Sequence, residues 1–380
     1  MKKKIFYWCP FIDKVATVKS VINSAYSISK YDNDLVPIIL NTVGEWDSYK
    51  KDLSNKNIHL FNITNSKILS DIPKRKGFIN SRVLYFKIIF KLFFPLVKFL
   101  KQKGDNYLII HLITSLPLLL NIFFNKKNVI LRISGLPKFN FFRKLLWNNA
   151  IKNIKLIYCP TIDTRKNMET MFPKYKFKFK LLRDPIISIE EIINKKKEIN
   201  EFNEKNYFLS IGRLTKQKNY MLLLKLVKYL TKQNINQRFI IIGEGEEKGK
   251  LLKYINENNL NSFVKLIGYK KNIFSYLKYS NALISTSLWE DPGFTIIEAA
   301  YCGIPIISSN CPNGPKEILD NGHGGYLFNN NSIEDLINVF NRFLIDDKKE
   351  IFKKRVLTKK ISAEFTLFSH YKNFKKTIND

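Results

Sequence analysis

One alternation runs twice through this sequence and leaves few folds open to it: short apolar runs take turns with longer stretches whose apolar residues recur at helical spacing. In the first half the runs are Lys4 to Trp8, Pro37 to Val43, Ile58 to Phe61, Tyr107 to Ile113, Asn128 to Ile133 and Lys155 to Cys159. They lack a strict in–out alternation, which suits strands covered by helices on both faces of a parallel sheet. Pro185 and the polar stretch from Asn194 to Asn206 interrupt the pattern and read as a linker. It then restarts with Tyr207 to Ile211, Phe239 to Ile242, Val264 to Ile267, Ala282 to Ser285 and Pro305 to Ser308 as strands. Tyr220 to Leu230, Glu247 to Glu257, Ile273 to Tyr279 and Thr295 to Tyr301 are the connecting helices. The expectation is an α/β chain of two doubly wound, Rossmann-like domains, 1–190 and 191–355. A tail, 356–380, with Phe365, Phe368, Tyr371 and Phe374 at helical spacing, is expected to pack back on the first domain. In such sheets ligands bind beyond the carboxyl ends of the strands, so the loops there are where chemistry belongs.

Composition agrees with two cores. A chain of 380 residues exceeds what one core serves well, and 45% hydrophobic residues exclude a disordered chain. Sixty-four Lys and Arg against 32 Asp and Glu leave a net charge of +32. Nucleic acid, anionic lipid or a phosphorylated substrate would answer such a field, and an AT-rich genome that enriches lysine would also produce it. Cys9, Cys159, Cys302 and Cys311 form no CxxC pair and read as reduced and mostly buried. Met1 to Tyr7 runs into a strand without the apolar stretch of a signal peptide, so a cytoplasmic location is expected. Val83 to Leu100 is very apolar, but Lys87, Lys91, Lys98 and Pro95 argue against a spanning helix. Lys87, Lys91, Lys98 and Lys101 fall within about 80° of one another on a helical wheel. That amphipathic helix either packs on the sheet with a solvated lysine edge or lies on an anionic membrane.

The richest stretch runs from Ser285 to Pro305. A strand ends at Ser285, a loop carries Glu290 and Gly293, and a helix begins near Phe294, so free backbone N–H groups can face a diphosphate. Glu298 lies about one turn inside, where it can accept hydrogen bonds from ribose hydroxyls. A second loop, Ser210-Ile-Gly212-Arg213-Leu-Thr-Lys-Gln-Lys218-Asn219, follows the strand Tyr207 to Ile211. Arg213 and Lys218 can converge on phosphates there and neutralise charge on a departing nucleoside diphosphate. Gly243-Glu-Gly245 follows the next strand as a tight turn. No acidic pair stands in a loop suited to a metal, so metal independence is expected, with no cofactor.

The run Glu290-Asp-Pro-Gly293-Phe294-Thr-Ile-Ile-Glu298-Ala, followed by Cys302-Gly-Ile-Pro305, resembles the signature of family 4 glycosyltransferases of GT-B architecture. The resemblance covers the second domain motif by motif, including the Gly212 to Asn219 loop, the Gly243 to Gly245 turn and Gly268-Tyr269. It implies two Rossmann-like domains facing across a cleft, and transfer of a sugar with retention of configuration. It further implies that Glu290 contacts the donor sugar and that backbone at Gly293 and Phe294 holds sugar or phosphate oxygens. By the same resemblance Glu298 would bind the ribose and Tyr269 would lie by the base, while Arg213 and Lys218 would stabilise the leaving diphosphate. In the first domain the resemblance rests on strand order alone. His111 follows a strand where relatives often present a histidine toward the donor sugar, and a structural histidine is the other reading. Arg132, at the end of the next strand, either meets an acceptor's phosphate or lies on the surface. Many relatives carry a glycine pair in the loop after the first strand, and Trp8 to Thr17 lacks it. The implied partners are a nucleotide-sugar donor, UDP by family habit, and a lipid-linked glycan acceptor of O-antigen, capsule or lipopolysaccharide assembly. The implied location is the anionic cytoplasmic face of the inner membrane, with no nucleic acid bound. Two rivals differ in class: a sugar-nucleotide 2-epimerase of the same architecture, against which the Glu290 to Glu298 spacing argues, and a non-catalytic binder driven by charge.

Overall fold

The computed structural model describes residues 2–11, 16–64, 78–111, 116–124, 126, 128–133, 135, 137, 139–199 and 204–379. The chain divides into two units, Met1–Pro185 with Leu367–Asp380, and Ile186–Thr366. In the first, β1 (Lys3–Trp8), α1 (Ala16–Tyr31), β2 (Leu35–Asn41), α2 (Lys50–Asn55), β3 (His59–Asn62) and α3 (Phe78–Gln102) lead to β4 (Tyr107–Ile110). Then follow α4 (Leu116–Phe124), β5 (Val129–Arg132), α5 (Phe141–Lys152), β6 (Leu156–Cys159), α6 (Ile162–Met171) and β7 (Phe179–Leu181). The seven strands form one parallel sheet in the order β3-β2-β1-β4-β5-β6-β7. Every residue of β4, β5 and β6 is buried, which is why their sequences read as continuous apolar runs. Leu92, Leu96, Leu118 and Trp147 of α3, α4 and α5 join one core, while Val21, Ala25 and Ile28 of α1 join another.

The second unit opens with α7 (Ile189–Lys197), β8 (Tyr207–Ile211), α8 (Tyr220–Lys232), β9 (Phe239–Ile242), α9 (Lys248–Glu257), β10 (Val264–Leu266) and α10 (Phe274–Leu277). It continues through β11 (Ser280–Ser285), α11 (Phe294–Tyr301), β12 (Ile306–Ser309), α12 (Pro315–Ile318), β13 (Tyr326–Phe328), α13 (Ile333–Ile345) and α14 (Lys348–Ser362). Its sheet is again parallel, in the order β10-β9-β8-β11-β12-β13. Phe208, Phe239 and Phe340 stack at its centre, with ring centroids 4.7–6.0 Å apart. The chain then enters α15 (Leu367–Asn379), where Phe374 and Ile378 pack into the core that α1 also lines.

Several elements depart from the sequence reading. The polar linker is shorter than expected, because Ile189–Lys197 is helical and Ile192 joins the core beside Phe274 and Leu277. β7 and β13, three residues each, are further strands that the sequence reading did not include. The tail divides: α14 lies against α11 and α12 in the second unit, and α15 alone lies against α1. The lysine-bearing helix runs over Phe78–Gln102, with Leu92, Leu96, Phe99 and Leu100 buried and Lys91, Lys98 and Lys101 exposed. Loop residues 12–15 and the side chain of Lys87 lie outside the described residues. No described helix is long and apolar enough to cross a membrane.

Candidate active site

Strand order reverses between β8 and β11, since β9 and β10 extend to one side of β8 while β12 and β13 extend to the other side of β11. Loops leaving the carboxyl ends of two such strands diverge and leave room for a ligand. The β8 loop carries Lys218 and the β11 loop carries Glu290, and the structure brings them together. Lys218 Nζ donates to Glu290 Oε1 at 2.5 Å. Backbone holds the two loops in register. Leu288 N donates to Gln217 O at 2.8 Å, Gln217 Nε2 to Trp289 O at 2.9 Å, and Thr286 Oγ1 to Lys218 O at 3.0 Å. The β12 loop braces the far side, with Glu290 N donating to Pro312 O at 3.1 Å.

Glu290 is only 4% exposed, so its charge needs the partners it has. Besides Lys218, Ser287 Oγ donates to the same Oε1 at 2.6 Å, and Ser309 Oγ in turn holds Ser287 O at 2.5 Å. Ser287 is a neighbour of the pair that sequence reasoning passed over. Its signal was present, since the strand end at Ser285 and the loop residues Thr286 and Ser287 put three hydroxyls at the edge where ligands bind in such sheets. With Ser210, Tyr220 and Thr295 these side chains line a small polar pocket beside Lys218. An ammonium donating to a carboxylate there can turn the same hydrogens to a phosphate oxygen when an anion enters.

The other predicted residues take varied places. Arg213 lies exposed on the β8 loop, outside the Lys218–Glu290 pair. Gly293 caps α11 at φ 103°, a left-handed value that favours glycine, and Phe294 is the first helical residue. Glu298 is buried one turn further along α11, beside Cys302. Tyr269 is exposed on the loop after β10. Gly212, Gly243 and Gly245 act first through packing. A Cβ on Gly243 would stand 1.8 Å from Gly212 O, and one on Gly245 would stand 2.3 Å from Leu214 O. Hydrogen bonds tie the same loops together, from Gly212 N to Ile242 O, Leu214 N to Glu244 O and Gly243 N to Gly268 O, each 2.9 Å long. Glycines here let three loops stack edge to edge and so fix where Lys218 stands. Among the described residues no three His, Cys, Asp or Glu side chains are placed to hold a metal ion.

In the first unit the reversal falls between β1 and β4, and His111 follows β4 there, its N–H donating to Trp8 O at 3.0 Å. The ring is 1% exposed and packs 5.9 Å from the ring of Tyr7. Burial and the nearby Arg132 guanidinium push its pKa well below the imidazole range, so it is neutral at neutral pH. Arg132 corrects both expectations for it. It is buried and grips the Asp184 carboxylate with two nitrogens, Nε to Oδ1 at 2.8 Å and Nη2 to Oδ2. A guanidinium so held, with Ser20 Oγ 3.2 Å from the same carboxylate, lies neither on the surface nor free for an acceptor's phosphate.

His370 of α15 completes this buried cluster. Its Nδ1 lies 2.7 Å from Arg183 O and its Nε2 lies 2.9 Å from Ser24 Oγ. A carbonyl can only accept, so Nδ1 carries the proton and Nε2 accepts from Ser24. Burial lowers the His370 pKa to about 4, against the pull of the Arg183 carbonyl and Asp184 and with the push of Arg132. An unfolded histidine takes up its proton near 6.5. Between those values the unfolded chain holds the extra proton, so stability present above about pH 6.5 is lost as pH falls toward 4. The expected loss through His370 is about 3 kcal/mol. Urea unfolding at stepped pH should show it, and His370→Gln should reduce that slope to the share that buried His111 contributes; an unchanged slope in the variant would locate the acid sensitivity elsewhere.

Residues 191–357 match the family model for glycosyl transferases group 1. Over 219 residues the chain is 33% identical to an uncharacterized glycosyltransferase of Methanocaldococcus jannaschii, covering 50% of this chain and 53% of that protein. Over 159 residues it is 32% identical to the Escherichia coli UDP-Gal:alpha-D-GlcNAc-diphosphoundecaprenol alpha-1,3-galactosyltransferase, covering 41% of each. The chain thus spans about half, or less, of the length of these curated relatives. Among solved structures, that of Anabaena HepE in complex with UDP and glucose superposes with a TM-score of 0.71 at 16% identity, over 99% of both chains. That likeness is one of fold, two parallel-sheet Rossmann-like domains of GT-B type. The matched stretch contains the Lys218–Glu290 pair and all the loops that brace it, so over residues 191–357 this chain is similar to the glycosyl transferases group 1 family.

Proposed function

We propose that the chain is a family 4, retaining hexosyltransferase that moves a sugar from a UDP-linked donor to a lipid-linked or polysaccharide acceptor in cell-envelope glycan assembly. The observation that carries this is the buried Lys218–Glu290 pair at the strand reversal of the second unit, inside the family match. In the proposed step the bond from the sugar's anomeric carbon to the diphosphate breaks while the acceptor hydroxyl bonds to the same face of that carbon. The hydroxyl's proton passes to the departing phosphate oxygen. Lys218 and Arg213 offset the charge growing there, and the N–H groups opening α11 add to them. Glu290, oriented by Ser287, faces the sugar, and Glu298 is assigned to the ribose and Tyr269 to the base. Gly212, Gly243, Gly245, Gly293 and Phe294 form the backbone around the nucleotide. His111 is assigned to the buried cluster of the first unit and not to the donor.

The E. coli relative's name supports a UDP donor and an acceptor on diphosphoundecaprenol, and the proposed place of work is the cytoplasmic face of the inner membrane. The exposed Lys91, Lys98 and Lys101 of α3 suit that surface. Thermal unfolding with UDP, GDP or a polyanion tests the donor. UDP at about a hundredfold its dissociation constant should stabilise the chain by about 2.7 kcal/mol, seen as a raised melting temperature. Protection by polyanions alone would sink the reading.

A further inference from the structure

The sheet face that α3, α4 and α5 cover in the first unit carries an outer layer unlike the rest of the described surface. Phe123 is 83% exposed, and Phe90, Phe94, Phe141 and Phe142 are 74% to 80% exposed. No other described phenylalanine exceeds 64%. All five sit on these three consecutive helices, which pack side by side, α3 on α4 and α4 on α5, with their inner sides joined in one core. The inner residues already fill that core, so the outward rings are not needed for folding. Exposed phenylalanines gathered on one face mark a surface meant to be covered.

Charge says what covers it. From Phe78 to Lys152 the sequence has thirteen Lys and Arg against one acid, Asp105. Lys91, Lys98 and Lys101 of α3 and Lys144 and Lys152 of α5 are exposed on the helices that carry the rings. A partner must therefore be anionic at one depth and apolar just beneath it, which describes the headgroup and upper acyl layers of an anionic bilayer. We propose that α3, α4 and α5 form a docking face on which Phe90, Phe94, Phe123, Phe141 and Phe142 enter the acyl region while the lysines remain among lipid phosphates. This deepens the membrane part of the proposed function: the lysine edge supplies attraction, and the phenylalanines supply insertion that salt does not screen.

The test is co-sedimentation with vesicles of phosphatidylcholine containing a third phosphatidylglycerol, beside vesicles of phosphatidylcholine alone, at low salt and at about 0.5 M salt. Wild type should bind the anionic vesicles, weaken in high salt and keep a salt-resistant fraction. The triple variant Phe123→Ser, Phe141→Ser, Phe142→Ser should lose that fraction by about tenfold or more, with an unchanged melting temperature because the replaced rings touch little of the core. Complete release of wild type by salt, or wild-type binding by the triple variant, would overturn insertion. So would a wild-type dimer in sedimentation velocity that the variant dissociates, since a second copy would then be the occupant. UDP protection measured on the same samples separates the two readings. Docking lost with UDP protection kept counts against this face alone; docking kept with UDP protection absent supports the face and counts against the donor site.

Discussion

Lys218→Ala should lower sugar transfer, or donor hydrolysis, by about 10²–10³-fold, the scale seen when one preorganised group facing developing charge is removed. The same change leaves the Glu290 carboxylate buried with Ser287 as its remaining side-chain partner, which costs about 3–5 kcal/mol. Loss of activity by this variant alone therefore cannot separate chemistry from folding. Glu290→Gln can, because the amide oxygen still accepts from Lys218 and Ser287 while the charge is gone. It should melt near wild type and still lose turnover. The pair Lys218→Met with Glu290→Gln removes both charges at once and should recover much of the stability lost in Lys218→Ala without recovering transfer. Wild-type turnover in Lys218→Ala, or in Glu290→Gln, would show that the reaction happens elsewhere.

Inner strands such as β4, β5, β6 and β9 were legible because their burial on two faces writes itself as runs of Val, Ile, Leu, Phe and Tyr. What escaped was short or remote. β7 and β13 have three residues each, and α7 hides in a lysine-rich stretch that one buried face, centred on Ile192, is enough to order. Lys218 and Glu290 could be named through their motifs, but their contact is set by the adjacency of β8 and β11, which no local pattern encodes. Arg132 is the plainest case. Its partner, Asp184, lies 52 positions away, so the residue looked like any other cation of a lysine-rich chain. Gly243 and Gly245 read in the sequence as a tight turn, and the stacking of three loops that requires them is again a matter of strand order.

Gly243→Ala should destabilise the second unit by about 4 kcal/mol or more, the range reserved for changes with a specific steric cause. The new methyl would stand 1.8 Å from Gly212 O and 2.9 Å from its carbonyl carbon, and both are backbone atoms that no rotamer change can move. Relief requires the β8 loop to withdraw, which strains the bonds from Gly212 N to Ile242 O and from Gly243 N to Gly268 O. The midpoint of thermal unfolding should fall by roughly 10 °C for a unit of this size. Protection by UDP should weaken with it, because the displaced loop carries Lys218. Gly249→Ala is the matched control. Gly249 lies in α9 with nothing within 4 Å of an added methyl, so the change should be neutral or stabilise by up to about 1 kcal/mol. Equal melting of the two variants would mean that the loops are not packed as described.

Because α15 belongs to the first unit while the whole of Ile186–Thr366 precedes it in the chain, a ribosome finishes the inner unit before the outer one. Until Phe374 and Ile378 emerge, the groove beside α1 that they fill stays open to water, and Ser24 and the Arg183 carbonyl wait for the His370 imidazole. The first domain thus stays incomplete until the last helix of the described chain has been made, however early its sheet was translated.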